Sequence, residues 1–249
     1  ADLIRPDTTL VSIMAVNNEI GSIQPIEAIS KLLADKPTIS FHVDAVQALA
    51  KVPTEKYLTD RVDFATFSSH KFHGVRGVGF IYIKSGKKIT PLLTGGGQER
   101  DYRSTTENVA GIAATAKALR LSMEKLAIFA SKTGQMKAVI RQALLDYPDI
   151  FVFSDEEDFA PHILTFGIKG VRGEVIVHAF EDYDIFISTT SACSSKAGKP
   201  AGTLIAMGVD KDKAQSAVRL SLDFENDVSQ VEQFLTKLKL IYNQTRKVR

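Results

Sequence analysis

The sequence predicts an α/β protein with a mostly parallel sheet, followed by a small α+β domain. Strand-like and helix-like segments alternate through the first half, which is typical of a parallel sheet covered by helices. The strand-like run at residues 9–16 is continuously apolar, as expected of a parallel strand that is buried on both faces. The second half mixes both kinds of segment and ends in a long amphipathic one. We place the domains at residues 1–127 and 128–249.

The first half begins with a strand at residues 9–16, TLVSIMAV, which is rich in apolar and β-branched residues. Pro25 opens a helix at its first position, because the apolar residues after it recur at helical spacing. A polar, glycine-rich loop at 94–108 is too long for a simple connector, and such loops are usually functional. The other elements are strands at 38–43, 62–68 and 77–83 and helices at 109–126 and about 130–146.

The second half contains three further strands and two further helices. The strands are expected at 161–168, 184–188 and 216–222. One helix is expected at 173–182, and the last begins near Asp227, which can cap it.

Composition narrows the class of protein. The 249 residues carry 31 basic and 29 acidic side chains, and this balance argues against nucleic-acid binding driven by bulk charge. No apolar run reaches the roughly 18 residues of a membrane span, so we expect none. The single cysteine, Cys193, excludes an internal disulfide and fits a reducing compartment, most simply the cytoplasm. No metal site is predicted.

Polar residues follow three of the predicted strands. Each of these residues has an ordinary structural explanation. Lys71 could be a solvated turn lysine, Asp44 a helix N-cap, and Asn18 a turn asparagine. If the strands are parallel, however, all three lie at one edge of the sheet. That set suits pyridoxal phosphate, with a Schiff base to Lys71, Asp44 on the pyridinium nitrogen, and Ser68 and His70 on the phosphate.

Two residues of the second half extend this set. Cys193 lies among serines and beside Lys196, which is not a core context, and a nearby ammonium favours the nucleophilic thiolate. A buried, inert cysteine is the commoner alternative. Arg219 alternates with apolar residues in its strand, so it is either a carboxylate ligand or a surface arginine.

Taken together, the motifs of this chain resemble those of the cysteine desulfurases, in the class V aminotransferase group of pyridoxal-phosphate fold type I enzymes. The order and spacing of the motifs carry the resemblance, which runs from about residue 10 to the C-terminal helix. The motifs are VNNEIGSIQPI, HVDAVQA, SSHKFHGVRGVGFIYI, GGGQERDYRSTTEN, SACSSK and VRLSL. The resemblance implies part of a fold type I large domain followed by a small C-terminal domain that carries Cys193.

The resemblance also implies a role for each matching residue. Lys71 and Cys193 are the expected catalytic residues, one bonded to the cofactor and the other the acceptor of sulfur. Asn18 and Arg219 are expected to bind the substrate carboxylate. The expected cofactor contacts are Asp44, Gln47 near the phenolic oxygen, Ser68, His70, Lys71, and Thr106 toward the phosphate of the partner subunit in a homodimer.

The implied reaction removes sulfur from L-cysteine. It yields L-alanine and a persulfide on Cys193, which is passed to a sulfur-acceptor protein in iron–sulfur cluster or tRNA thiolation pathways. Family members carry a further segment before the point where this chain begins, with a phosphate-binding loop and a histidine that stacks on the cofactor. The chain also lacks an initial Met and enters a strand almost at once. We therefore expect an N-terminally truncated fragment with impaired activity.

Two other functions remain open at this stage. A selenocysteine lyase or another class V aminotransferase or lyase would keep the fold and the cofactor but would not all need Cys193. A non-catalytic scaffold would leave Lys71 a purely structural residue.

Overall fold

The computed structural model describes residues 2–155, 157–190 and 202–247. It forms two compact units, Ala1–Ala15 with Gln24–Leu126, and Val16–Ile23 with Ala127–Arg249. The sequence-based division at residue 127 places residues 16–23 in the first domain, whereas they pack in the second unit. Backbone hydrogen bonds explain this, because Ala160 N donates to Gly21 O at 2.7 Å and Ile23 N to Asp158 O at 2.6 Å.

A four-stranded sheet forms the centre of the first unit. Its strands are β1 (Leu10–Met14), β2 (Ser40–Asp44), β3 (Phe64–Ser68) and β4 (Gly79–Ile83), in that spatial order. The first three run parallel, and β4 pairs antiparallel with β3. The carboxyl ends of β1, β2 and β3 therefore lie at one edge of the sheet, as the sequence predicts.

Two helices and three short 3-10 turns complete the first unit. Helix α1 spans Ile26–Leu32, directly after Pro25, and α2 spans Val109–Glu124. The Asn108 side chain caps α2 by accepting from Gly111 N at 3.0 Å. The 3-10 turns are Thr54–Lys56, Ser69–Phe72 and Glu99–Asp101.

The prediction that the first strand is buried on both faces is wrong. Alternate residues of β1 are exposed, among them Leu10 at 54 % and Met14 at 40 %. Val11 and Ile13, on the opposite face of this strand, are half-buried. An apolar run does not by itself distinguish a strand covered on two faces from one covered on one face.

An antiparallel sheet forms the centre of the second unit. Its strands are β5 (Ile150–Val152), β6 (Ile163–Ile168), β7 (Ser188–Thr189) and β8 (Ala217–Ser221), in the spatial order β5-β6-β8-β7. The helices are α3 (Leu126–Leu145), α4 (Gly173–Glu181), α5 (Gly202–Ala206), α6 (Lys211–Gln215) and α7 (Val228–Lys247).

Aromatic packing holds the core of this second unit. Phe180 of α4 stacks on Phe234 of α7 with ring centroids 5.0 Å apart, and Phe166 of β6 meets Phe234 edge-on. All three rings are buried. The sheet and two helices thus share one core, as in the predicted α+β domain.

The strand expected at 184–188 is wrong over most of its length. Only Ser188 and Thr189 pair, and Phe186 is 77 % exposed. Three elements, β5, α5 and α6, were not predicted, because they have three to five residues each and are too short for a periodic pattern to appear. Across residues 2–155, 157–190 and 202–247, no helix has both the length and the apolarity that crossing a membrane requires.

Candidate active site

The stretch SSHKFHG forms a single tight turn at the carboxyl end of β3. Residues Ser69–Phe72 make the 3-10 turn, and His73 ends it in the left-handed region at φ 65°. Gly74 then passes so close to the buried Ser69 that a Cβ atom there would lie 1.9 Å from the Ser69 Oγ. Glycine is therefore required for the chain to leave the turn in this direction.

Helix α2 holds both ends of this turn. Thr115 Oγ1 donates to Ser69 Oγ at 3.0 Å, and Ser122 Oγ donates to the carbonyl of Phe72 at 3.0 Å. Between them, Lys71 is half-buried. Among the described residues its ammonium has no hydrogen bond or ion pair. The backbone of Lys71 is thus fixed, while its amine is left for a ligand.

Asp44 ends β2 on the neighbouring strand. The register pairs it with Thr66 of β3, and Ala45 N donates to Thr66 O at 3.0 Å. Asp44 Oδ1 accepts from Val46 N at 3.0 Å, and turns rather than a helix follow, so the helix N-cap alternative is wrong. Asp44 is exposed, and Gln47 is buried in the turns after it. A carboxylate and an amide thus lie at the same sheet edge as the Lys71 turn.

A row of hydrogen-bonded side chains crosses the sheet on the face of Asp44. His42 Nδ1 lies 2.7 Å from Ser12 Oγ, and His42 Nε2 lies 3.0 Å from Thr66 Oγ1. Burial lowers the pKa of His42 below 6.5, although Asp44 opposes this shift. The imidazole is therefore neutral at pH 7 and leaves the charge of Asp44 available to a ligand. Sequence patterns do not predict this row, since its members belong to three separate strands.

Positive charge surrounds His70. Partial burial lowers the pKa of this exposed imidazole below 6.5, and the cations of Lys71, Arg76 and Lys51 lower it further, in that order. Ser68 lies at the end of β3 and is half-buried. A hydroxyl and an imidazole within this positive surrounding suit a phosphate.

Sequence reasoning did not single out two of these cations. Arg76 had a weak signal, because it lies within the same motif as Lys71. For Lys51 the only signal in the sequence was that a lysine interrupts the apolar run ALAKVP. Its proximity to Lys71 depends on a contact twenty residues apart along the chain.

The predicted roles of two site residues, Thr106 and Cys193, are not tested by the structure. Thr106 is exposed and lies just before α2, and its expected role toward a partner subunit stays a prediction. Cys193 lies outside the described residues.

Asn18 and Arg219 come together in the second unit. Arg219 lies on β8 and is half-buried, and its Nη1 donates to the Asn18 carbonyl at 2.8 Å. The Arg219 Nε is buried and has no hydrogen-bond partner within the described part of the chain. Arg219 is therefore not a solvated surface arginine. A buried guanidinium with an unused N–H is suited to a carboxylate ligand.

The segment that carries Asn18 is tied to helix α5. Asn17 Oδ1 accepts from Glu19 N at 2.8 Å and from Ile20 N at 3.0 Å, which fixes the turn. Asn17 Nδ2 donates to Thr203 Oγ1 at 3.1 Å, and Thr203 N donates to Glu19 Oε2 at 3.0 Å. The residues on both sides of Asn18 thus anchor the first turn of α5.

Comparison with known proteins supports the assignment of these residues to one family. The sequence matches the profile described as "Aminotransferase class-V" over residues 1–234. The chain belongs to the class V aminotransferase family. The predicted family is thereby confirmed.

Similar proteins include a "NifS/IcsS protein homolog" of Lactobacillus delbrueckii subsp. bulgaricus, which is 52 % identical over 243 residues. That match covers 97 % of this chain and 63 % of the relative. A "Cysteine desulfurase IscS" of Clostridium botulinum is 37 % identical over 249 residues, covering 98 % of this chain and 62 % of the relative. The chain thus spans less than two thirds of the length of these relatives.

Solved structures of similar proteins support the same fold. A "NIFS-LIKE PROTEIN" matches with a TM-score of 0.87 and 36 % identity, over 97 % of this chain and 63 % of the other. A NifS-like protein from Rickettsia africae matches with a TM-score of 0.86 and 29 % identity, over 97 % of this chain and 64 % of the other. The predicted fold class, part of a class V aminotransferase fold with a mostly parallel sheet, is confirmed.

Proposed function

We propose that the protein to which this chain belongs is a pyridoxal-phosphate-dependent cysteine desulfurase. The observation that carries the proposal is Lys71, a half-buried lysine on a turn fixed at both ends, whose ammonium has no hydrogen bond or ion pair with the residues that the structure describes. The names of the similar proteins from L. delbrueckii and C. botulinum support the same activity.

The donor set of the first unit fits pyridoxal phosphate. Lys71 would bond to the aldehyde carbon, and Asp44 would pair with the pyridinium nitrogen. Gln47 would lie near the phenolic oxygen, and Ser68 and His70 would hold the phosphate, whose charge suits the cations around His70. When bound, the cofactor supplies an electron-withdrawing ring that stabilises negative charge on the α-carbon of an amino acid. Thr106 would complete the phosphate site of the partner in a homodimer.

The other residues would then bind L-cysteine and move its atoms. Arg219 would bind the substrate carboxylate, with Asn18 beside it, and Lys71 would move the α-proton. The Cys193 thiolate would attack the substrate sulfur, so that a sulfur–sulfur bond forms as the bond from sulfur to Cβ breaks. The three-carbon fragment takes up protons and leaves as L-alanine, and Cys193 keeps the sulfur as a persulfide.

The fate of this sulfur is part of the proposal. The persulfide would pass to an acceptor protein in iron–sulfur cluster assembly or tRNA thiolation. The name IscS of the C. botulinum relative fits a role in iron–sulfur cluster assembly. The single cysteine of the chain fits a reducing compartment, most simply the cytoplasm.

The function is tested with the full-length protein and L-cysteine. Sulfide and alanine are expected in equal amounts in the presence of a thiol reductant. Borohydride reduction followed by peptide mapping is expected to place a pyridoxyl group on Lys71. Failure to label Lys71 would overturn the proposal and favour a non-catalytic scaffold.

Replacement of Cys193 by Ser is expected to abolish sulfur transfer to an acceptor while leaving the pyridoxyl label on Lys71 in place. A hydroxyl cannot form a persulfide, whereas cofactor binding does not need the thiol. Sulfur is followed as radioactive label from cysteine to protein. Retained transfer would instead favour a selenocysteine lyase or another class V aminotransferase or lyase.

Replacement of Arg219 by Lys is expected to raise KM for L-cysteine about tenfold or more, the loss expected for a charge-assisted, two-point carboxylate contact. Steady-state kinetics measure the change. Arg172→Lys, an exposed arginine in the same unit, is the matched control and should keep the wild-type KM. An unchanged KM in Arg219→Lys would exclude the carboxylate role.

A further inference from the structure

Lys51 is a buried lysine outside the set of proposed site residues. It follows the turns that begin at Asp44, and its Nζ donates to the carbonyl oxygen of Lys71 at 2.5 Å. We propose that Lys51 is a positioning residue that holds the Lys71 turn in the geometry required to bond the cofactor. This inference rests on the proposed function of Lys71.

The burial of Lys51 argues against a solubilising role. Only 8 % of the residue is exposed, and burial of an ammonium carries a large desolvation cost unless strong acceptors compensate it. The carbonyl of Lys71 is one such acceptor, in a charge-assisted hydrogen bond. A methionine of similar length would occupy this space without that cost, and what the ammonium adds is the contact with the Lys71 turn.

The position of the contact completes the support of the turn. Helix α2 holds the first and last residues of Ser69–Phe72 through Thr115 and Ser122. Lys51 holds the peptide group of Lys71 between them, the one nearest to the reactive side chain. The carbonyl and the side chain of Lys71 share one Cα, so a fixed carbonyl limits the change in ψ that would redirect the side chain.

The same contact joins the two cofactor-binding segments of the first unit. Lys51 ends the segment that begins with Asp44 and contains Gln47, and it reaches the segment that contains Lys71. The expected partners of the pyridinium nitrogen and of the aldehyde therefore keep a fixed relation to each other. Lys51 also adds to the positive charge that acts on His70.

The test compares Lys51→Met with Lys51→Arg in the full-length protein. In Lys51→Met, the rate of pyridoxyl trapping on Lys71 and kcat are each expected to fall about tenfold, with KM for cysteine changed less than about twofold. The NMR titration midpoint of the His70 imidazole should move up toward 6.5, because one cation is removed. Lys51→Arg restores a cationic donor and is expected to recover most of both effects.

Lys137→Met is the matched control. Lys137 is also a buried lysine, 6 % exposed, whose Nζ donates to a carbonyl, that of Ala160 at 3.0 Å, but it lies in the second unit. Its replacement should leave trapping on Lys71 and the His70 titration unchanged. Equal slowing in both Met variants would overturn the positioning role and indicate a general loss of stability.

A measurement without cofactor separates this inference from the proposed function. Amide hydrogen exchange at residues 69–74 is expected to become faster in Lys51→Met and to return toward the wild-type rate in Lys51→Arg. Unchanged exchange would overturn the role of Lys51, even if the wild-type protein fails to label Lys71. Should Lys51→Met not fold, Lys51→Gln, a shorter neutral donor, takes its place with the same expected outcomes.

Discussion

Replacement of Lys71 by Ala is expected to lower the rate of sulfide release from L-cysteine by about a thousandfold or more in the full-length protein. The variant loses both the amine that bonds the cofactor and the base that moves the α-proton, and general base catalysis alone contributes roughly 10²–10⁴-fold. The fold should survive, because the Lys71 ammonium has no hydrogen bond or ion pair within the described part of the chain. Sulfide release and peptide mapping after borohydride treatment measure the two losses.

Two variants distinguish the chemistry of Lys71 from its charge. Lys71→Arg keeps a positive charge near His70 but is not an amine nucleophile at neutral pH, so it should be as inactive as Lys71→Ala. Lys88→Ala removes an exposed lysine of the same unit and should keep wild-type activity. Activity in Lys71→Arg above about a tenth of the wild-type rate would contradict the assigned role.

The local part of the candidate site could be predicted from the sequence. Asp44 and Ser68 end strands, Lys71 lies in the turn after one, and the parallel pairing of β1, β2 and β3 brings these strand ends to one edge. Alternation of helix and strand predicts such pairing, because parallel strands require crossovers. Residue type and local position were sufficient here.

Contacts between distant segments were beyond the reach of the sequence pattern. Lys51 meets Lys71 across twenty residues, and Arg219 meets Asn18 across 201 residues. The alternation of Arg219 with apolar neighbours indicated which face of the strand Arg219 occupies. It did not indicate that the segment containing Asn18 contacts Arg219. The packing of residues 16–23 in the second unit has the same origin, since long-range hydrogen bonds fix it.

A buried charge cluster at the start of β3 is expected to control the stability of the first unit. Asp63, whose side chain is 3 % exposed, accepts from Phe41 N at 2.9 Å, from Arg61 Nη1 at 2.8 Å and from Lys87 Nζ at 3.2 Å. Arg61 also donates to three carbonyls, those of Leu33, Lys36 and Ile39, in the connection between α1 and β2. One carboxylate therefore fixes the guanidinium that ties this connection to the sheet.

Asp63→Asn is expected to reduce the free energy of unfolding of the first unit by about 2 kcal/mol at pH 7, because it leaves the half-buried Arg61 and Lys87 without their carboxylate. Burial raises the pKa of Asp63, but hydrogen bonds from Phe41, Arg61 and Lys87 outweigh it, so the pKa lies below 3.8. The folded state thus binds the proton less readily than the unfolded chain. The stabilisation is complete above pH 3.8 and is lost as the pH falls through the lower, folded-state pKa.

Thermal unfolding at pH 7 and at acid pH tests this directly. The wild-type protein should unfold at a higher temperature than Asp63→Asn at pH 7, and the difference should shrink below pH 3.8, where wild-type Asp63 begins to take up its proton. Asp35→Asn is the control, since Asp35 pairs with Lys36 at the surface, where such pairs contribute about 0–1 kcal/mol. A difference independent of pH would mean that amide geometry, rather than the lost charge, destabilises the variant.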